Sequence, residues 1–225
     1  MADQGTVGDK AVRFGGFRTG AGYVFELTGG ALCLDLANTL DNRKAPAPRE
    51  ILAGFEDLAA WGAQAGAVPD AIARALRREA RAHPRVAARA LQWARQVREV
   101  LYAIFSAVAR AHVPPGAAMD RLNLELPRAF GSRRLDRAAG SPAWAWVEHD
   151  PPELDRVLWP AVVSAAELLT STELDRVREC AGERCSWLFL DRSKNGSRRW
   201  CDMTVCGNRS KARRHYARVK SRLEA

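Results

Sequence analysis

Four of the five cysteines lie near the C-terminal end of the sequence, in two pairs with equal internal spacing. The pattern is C-x4-C-x15-C-x4-C, formed by Cys180, Cys185, Cys201 and Cys206. Two such pairs are typical of two knuckles that close on one tetrahedral metal ion. Zn²⁺ suits four thiolate ligands, which leave no open position for catalysis, so the sequence predicts one structural zinc ion.

Other uses of these cysteines stay open from the sequence alone. Disulfides are disfavoured in a chain that shows no signal peptide. Four unrelated buried thiols would leave the equal spacing unexplained, whereas an iron–sulfur cluster would use the same four ligands. The fifth cysteine, Cys33, stands alone in the apolar run ALCLDLANTL.

The residues around the second pair predict a small folded unit. WLFLDRS and SRRWCDM read as two strands joined at Lys194–Gly196, because Asn-Gly between strand-like runs is typical of a hairpin. A helix follows, with Thr204 as its N-cap and Cys206 in its first turn. This predicts a treble-clef-like zinc finger that depends on its metal for folding, while the N-terminal part folds without it.

Three aromatic residues of this segment allow two interpretations. Trp187, Phe189 and Trp200 could stack on bases of a single strand. We favour the interpretation that they form the small core of the finger, because apolar side chains must pack beside the metal.

The positive charge of the chain is concentrated in the same segment. The net charge is +9, and residues 176–225 hold 14 of the 35 Lys and Arg but only 5 of the 26 Asp and Glu, so they carry all of the excess. A folded basic segment favours nucleic acid as the partner. The predicted contacts lie at the hairpin turn or on the helix, and are Arg192, Lys194, Arg198, Arg199, Asn208, Arg209, Lys211, Arg213, Arg214 and Arg218.

Within this set, Asn208 and Arg209 are placed at the start of the helix, where they could read base edges in the major groove. For any single arginine, a role in positioning phosphates or in solubility is the alternative.

The first 175 residues predict a mainly α-helical domain. Apolar periodicity and helix breakers place helices at 31–40, 50–64, 70–82, 84–112, 119–126 and 154–170, with a β-hairpin around 140–142. The predicted domains are a disordered leader at 1–20, a helical domain at 21–172 and the basic finger at 173–225. No run of apolar residues is long enough to span a membrane, and a cytoplasmic, nucleoid-associated protein is expected.

The helical part shows no catalytic signature such as G-x-S-x-G, a P-loop or G-x-G-x-x-G, so we expect no enzyme. Asp35, Asn38 and Arg43 lie in an apolar segment and could line a small-molecule pocket, with Trp61 or Trp146 as a wall. The alternative is that these polar groups form internal hydrogen bonds and helix caps.

The C-terminal segment resembles the CGNR zinc-finger family of bacterial regulators. The resemblance rests on the paired cysteines, the WLFLDRS strand, the SRRWC stretch, the tetrapeptide at Cys206–Arg209 and the KARRHYARVK helix. Upstream, GGALCLDLANTLDNR, DLAAWGAQAG and SAAELLTSTELDRVREC are similar to the ABATE domain, which often precedes this finger and is described as a stress-induced transcription regulator. The resemblance implies a DNA-binding regulator with a structural zinc ion.

Together these observations predict a regulator that binds double-stranded DNA, as a homodimer, through the zinc-anchored helix. A small effector in the helical domain would reposition the finger through residues 171–179. A zinc protein that binds RNA or the ribosome is the alternative, since a basic finger with aromatic residues would serve both partners.

Overall fold

The computed structural model describes residues 15–20, 22–138 and 140–223, and the fold is mainly α with short antiparallel hairpins, as predicted. The described helices are α1 (Leu32–Ala37), α2 (Phe55–Gln64), α3 (Asp70–Ala82), α4 (Pro84–Ala109), α5 (Gly116–Gly131), α6 (Trp159–Leu169) and α7 (Asn208–Leu223). Within the described residues, no helix is both long enough and apolar enough to cross a membrane.

The described strands form two-stranded sheets. They are β1 (Gly16–Thr19) with β2 (Gly22–Phe25), β3 (Leu40–Asp41) with β4 (Arg49–Glu50), β5 (Arg133–Ala138) with β6 (Ser141–Trp146), and β7 (Val177–Glu179) with β8 (Leu188–Leu190). Short 3₁₀ segments cover Leu154–Leu158 and Leu174–Arg176, and a π-helical turn, Met203–Gly207, leads into α7.

Helix α4 forms the centre of the helical part. Pro84 opens it, where a missing N–H costs nothing, and its buried residues recur every three or four positions. Ala94, Val97, Leu101 and Phe105 on this stripe are 2% exposed or less. They belong to one apolar core, to which α1, α5, α6 and the 3₁₀ segment before α6 also contribute.

Several predicted helix boundaries were wrong. The helix expected at 119–126 begins at Gly116 and continues through Pro127 to Gly131, because Leu122 and Ala129 are buried and their packing outweighs one lost backbone hydrogen bond. The helix expected at 50–64 begins only at Phe55, since Glu50 belongs to β4. The predicted hairpin around 140–142 and the predicted bounds of α3 are confirmed.

Two more expectations need correction. Helix α1 covers only part of 31–40, and the segment expected as one helix at 154–170 is a 3₁₀ turn followed by α6. The disordered leader was extended too far, because Gly16–Thr19 is a strand that pairs with β2. Residues 1–14 of that predicted leader lie outside the described residues.

Strands β7 and β8 of the cysteine-containing segment are built into the core of the helical part. Val177, Leu188 and Leu190 are at most 4% exposed and belong to the same apolar core as α4. The Asn38 side chain donates to the Leu188 carbonyl over 2.9 Å and accepts from the Leu188 N–H over 2.8 Å. On the same edge of β8, the Leu190 N–H donates to the Gly29 carbonyl. Residues near α1 therefore take the place of a third strand beside β8.

An acidic side chain adds polar contacts between β7 and the helical part. Glu179 accepts hydrogen bonds from Ser106 of α4 and from Arg110, which follows that helix, and Lys44 lies 3.2 Å from the same carboxylate. Because Glu179 immediately precedes Cys180, these contacts fix the approach of the chain to the first cysteine.

The pairing predicted for the finger hairpin was wrong. Strand β8 pairs with β7, which precedes it, and residues 197–202 form no strand. The Asn-Gly turn is present, with Gly196 at φ 59°. All three residues of β8 are buried, and its two edges are already satisfied by β7 and by Asn38 and Gly29, so no edge remains for a following strand.

Candidate metal centre and nucleic-acid interface

The structure brings the sulfurs of Cys180, Cys185, Cys201 and Cys206 to within 4.8 Å of one another, and all four residues are buried. The Cys185 and Cys201 sulfurs are 3.6 Å apart, and those of Cys201 and Cys206 are 3.9 Å apart. A tetrahedral ion with Zn–S bonds of about 2.3 Å places its sulfurs roughly 3.8 Å apart. The donor set and its spacing therefore fit one tetrahedral metal ion.

The first cysteine pair forms the turn between β7 and β8. Backbone N–H groups of Gly182 and Trp187 each donate to the sulfur two residues earlier, over 3.4 Å, on Cys180 and Cys185. Such hydrogen bonds stabilise thiolates and orient them toward a cation. A Cβ at Gly182 would lie 3.1 Å from the Cβ of Cys185 and 3.3 Å from the sulfur of Cys206, so this position favours glycine.

The second cysteine pair is held by a capped turn. The Asp202 carboxylate accepts from the Val205 N–H over 2.8 Å, and the Asp202 carbonyl accepts from the Cys206 N–H. The predicted N-cap, Thr204, instead donates its hydroxyl to Asp202. Asp202 is the better cap because it is extended, at φ −145°, and its carboxylate reaches the orphan amides of the turn.

Four thiolates at these distances repel one another, so the cluster needs a cation to be fully ionised. Hydrogen bonds from the other three thiols lower the pKa of Cys180, whereas burial raises the pKa of Cys185. Metal binding must therefore displace protons, and the affinity for metal falls as the pH falls. Cys33 is different, since burial raises the pKa of its thiol to about 12 and leaves it unreactive.

The apolar surroundings of the cysteines come from both ends of the chain. Trp187 and Phe189 are at most 1% exposed and pack with the cysteines, as predicted for a finger core, and Trp200 is partly buried at its edge. Tyr23 of β2 and Ile51 complete this cluster. The N-terminal hairpin therefore contributes to the environment of the cysteines, which the sequence did not indicate.

Several of the predicted nucleic-acid residues already have partners within the protein. Arg192 forms a two-pronged ion pair with Glu173. The Arg198 guanidinium donates to the carbonyls of Trp200 and Cys201 and lies 4.5 Å from the centre of the Phe189 ring. Arg198 therefore braces the loop that carries the second cysteine pair.

Most other members of the set also contact groups of the protein. Arg199 lies over the Trp200 ring, and Arg213 pairs with Glu183. The side-chain amide of Asn208 donates to the Thr204 carbonyl, so it closes the π-helical turn rather than projecting freely. Lys194 lies exposed at the Asn-Gly turn.

Helix α7 extends into solvent from this metal centre. Each residue from Lys211 to Lys220 is exposed, including Tyr216 at 72% and Val219 at 42%. The side chains of Tyr216 and Val219 are therefore not buried against the rest of the described chain. Residues 208–223 include seven Lys or Arg and no Asp or Glu.

The five residues predicted to line a ligand pocket form contacts within the protein instead. Asn38 is bound to Leu188 through both side-chain atoms. Arg43 pairs with Glu99 and stacks on Tyr102, with its guanidinium carbon 3.8 Å from the ring centre. These contacts correspond to the internal hydrogen bonding that was the alternative interpretation of the sequence.

The other three members also contact groups of the protein. Asp35 accepts from the Gly29 N–H over 2.8 Å, and burial raises the pKa of its carboxyl to about 6. Trp61 is fully buried in the core, and the Trp146 ring lies 6.2 Å from that of Trp159.

One residue with a clear role was not singled out from the sequence. Asp191 is fully buried, and its carboxylate accepts from the Ser193 N–H and hydroxyl and from the Arg198 N–H. It fixes the loop between β8 and the second cysteine pair. The Asp-x-Ser pattern is a signal for such a turn and could have identified it.

These features define a class, namely a helical protein with a C-terminal four-cysteine zinc-finger module that bears a basic helix. The family model described as "CGNR zinc finger" matches residues 176–219, and ABATE, described as "Putative stress-induced transcription regulator", matches residues 30–172. The chain therefore belongs to the ABATE family and carries a CGNR zinc finger, in the predicted order. No curated protein matches it.

Proposed function

We propose that this protein is a transcription regulator that binds double-stranded DNA through α7, with one structural Zn²⁺ on its four cysteines. The observation that carries the proposal is a helix with seven positive charges, exposed at every residue from Lys211 to Lys220 and anchored at one end to the cysteine cluster. A helix of this diameter fits the major groove of B-DNA.

The charges on α7 favour a polyanionic partner. Arg209 and Arg213, and likewise Arg214 and Arg218, are four residues apart, where like charges destabilise a helix. Glu183 offsets part of this repulsion by pairing with Arg213, while every residue from Lys211 to Lys220 is exposed rather than packed in a core. A duplex would relieve it, because each phosphate neutralises a positive charge and releases bound counterions.

The zinc ion acts structurally in this proposal, since four thiolates complete a tetrahedral shell and leave no position for a substrate. Cys206 lies in the π-helical turn that leads directly into α7. The metal thereby fixes the direction of the basic helix relative to the core.

The proposal is tested by the anisotropy of a labelled duplex, measured over a range of salt concentrations with the zinc-loaded chain. Lys211 and Arg222 lie eleven residues apart on one exposed face of α7. The variant Lys211→Gln/Arg222→Gln should bind more weakly, and the slope of log K against log salt should fall by about 1.8 if both residues contact phosphates. Arg74→Gln/Arg85→Gln removes two exposed charges from α3 and α4 and is the matched control.

Equal salt slopes for the two double variants would contradict a role for α7. Competition with structured RNA tests the alternative partner, since stronger competition by RNA than by unlabelled duplex would favour an RNA-binding protein.

The remaining parts of the proposal follow from DNA binding. We propose a binding protein rather than an enzyme, located with the chromosome and dimeric on paired half-sites. Light scattering of the zinc-loaded chain, which gives the mass in solution, tests the homodimer. We also propose control by a small effector, at a site different from the five residues first predicted.

A further inference from the structure

A cleft of about 180 Å³ lies where the metal centre, the start of α7 and the turn after β3 meet. The first cysteine pair forms one wall through Ala181–Cys185, and α7 forms another through Arg209, Ser210, Arg213 and Arg214. Asn42, from the helical part, closes the third side in a left-handed conformation at φ 53°. A ligand in this cleft would therefore touch both family-matched regions.

The lining of the cleft is strongly positive. Its charged members are Arg184, Arg209, Arg213, Arg214 and Glu183. Glu183 pairs with Arg213, which leaves an excess of three positive charges around the cleft. Arg209 also lies close enough to the buried Asp41 to affect its carboxyl. Burial raises the pKa of Asp41, and the positive charges of Arg49 and Arg209 oppose that rise.

The converging guanidinium groups identify the chemistry of a ligand. Arginine presents paired N–H donors that match the oxygens of a phosphate group. Ser210 adds a residue with a hydroxyl group to the lining. An anion bound here would offset the mutual repulsion of the arginines.

We propose that this cleft binds a phosphate group and that its occupancy couples the helical part to the position of α7. The phosphate could belong to a small phosphorylated molecule or to the DNA backbone. The backbone source rests on the proposed function, whereas the small-molecule source does not.

The first test measures binding of inorganic phosphate and pyrophosphate to the zinc-loaded full chain by calorimetry, with sodium chloride keeping the ionic strength constant. Both anions should raise the melting temperature of the wild-type protein. Arg184→Gln/Arg214→Gln should weaken their binding by about tenfold or more for each charge-assisted hydrogen bond that the substitution removes. Arg74→Gln/Arg85→Gln should leave their binding unchanged.

The second test measures duplex binding by the same variants and distinguishes the two sources of phosphate. Weaker binding of both free phosphate and duplex would identify the DNA backbone as the ligand. Weaker binding of free phosphate alone would identify a small phosphorylated effector. The α7 variant Lys211→Gln/Arg222→Gln should bind free phosphate normally, so failure of DNA binding would not remove this inference.

A modification experiment on the wild-type chain keeps the inference testable even if the cleft variant folds poorly. Phosphate should protect Arg184 and Arg214 from phenylglyoxal, read by mass spectrometry, and leave Arg74 and Arg85 reactive. The inference is overturned if phosphate and duplex give no protection at Arg184 and Arg214. It is equally overturned if a zinc-containing cleft variant binds both ligands as the wild type does.

Discussion

Helices α4 and α7 are the longest of the N-terminal and C-terminal parts, and they are held in place in opposite ways. Helix α4 has 26 residues and is packed along a buried stripe by α1, α5 and the 3₁₀ segment before α6. Helix α7 has 16 residues, is exposed from Lys211 to Lys220, and is fixed at its first end by the π-helical turn that contains Cys206.

This difference shows two ways to hold a helix. Packing stabilises α4 in proportion to the apolar area it removes from water. The cysteine cluster lies at one end of α7, where the proposed zinc ion would stabilise the base of the helix and leave its sides available to a partner. The comparison predicts that α4 is sensitive to core substitutions and insensitive to metal, and that α7 behaves in the reverse manner.

The largest expected effect follows from loss of the metal. Cys201→Ser removes one ligand, so the chain should lose its zinc, whose binding contributes about 10–16 kcal/mol in isolated fingers. Amide protection should disappear from residues 201–223, whereas Leu188–Leu190 should keep theirs, because they belong to the main core. Zinc content and hydrogen exchange are the measurements.

Cys33→Ala is the matched control for that experiment, because Cys33 is buried outside the cluster and the variant should retain one zinc ion per chain. Full protection of α7 in zinc-free Cys201→Ser would show that the metal does not anchor the helix. Loss of protection throughout 176–219 would instead show that the segment folds as one unit.

Next in size is a cavity in the packed helix. Leu101 of α4 is fully buried, so Leu101→Ala should lower the free energy of unfolding by about 2–5 kcal/mol. Zinc content should stay at the wild-type level. Urea unfolding followed by circular dichroism provides the energy, and a loss below about 1 kcal/mol would contradict the central position of α4.

Asn38→Ala tests where the packed region ends. It leaves the buried N–H and carbonyl of Leu188 without their side-chain partner, which should cost about 1–3 kcal/mol. Asn38→Asp keeps the acceptor and loses the donor, and it should restore only part of the stability. Urea unfolding of both variants measures this, and an unaltered midpoint in Asn38→Ala would mean that β8 is not joined to α1 as described.

Arg198→Ala tests the brace behind the second cysteine pair. Its guanidinium donates to the carbonyls of Trp200 and Cys201, so its loss should weaken zinc affinity about 10–100-fold. Competition with a chromophoric chelator provides the affinity. Arg199→Ala removes the same charge from the Trp200 ring and should change zinc affinity little. Equal losses in both variants would point to a general charge effect.

The smallest effect is expected on the exposed helix. Tyr216 is 72% exposed, so Tyr216→Ala should change the free energy of unfolding by no more than about 0.5 kcal/mol. The same urea titration measures it. A loss comparable to that of Leu101→Ala would indicate that α7 packs against something in solution, such as a second copy of the chain.

The sequence predicted the clustering of the four cysteines, the bounds of α3 and the start of α4, because these depend on local patterns, whereas α4 ends at Ala109, three residues before the predicted end. Cysteine spacing and the apolar periodicity of α4 and α3 are visible in single segments. The predicted hairpin of the finger failed for a non-local reason, since Asn38 and Gly29, some 150 residues away in sequence, occupy the edge of β8.

The residues of the candidate site show the same difference between local patterns and non-local contacts. Cys180 and Cys206 could be predicted from their spacing, but the bracing role of Arg198 could not, because it depends on where the chain folds back over Phe189. Asn38 was noticed as a polar residue in an apolar segment, yet its partner, a backbone group of β8, was not visible before the fold was known.

The attachment of α7 at one end has a mechanical consequence. Sixteen residues make a rod of about 24 Å, so a tilt of about 10° at the π-helical turn displaces the far end by about 4 Å, more than the rise of one base pair. Small shifts in the positions of Asp202, Cys206 or the adjoining cleft would therefore displace the far end of α7 along the groove of a bound duplex.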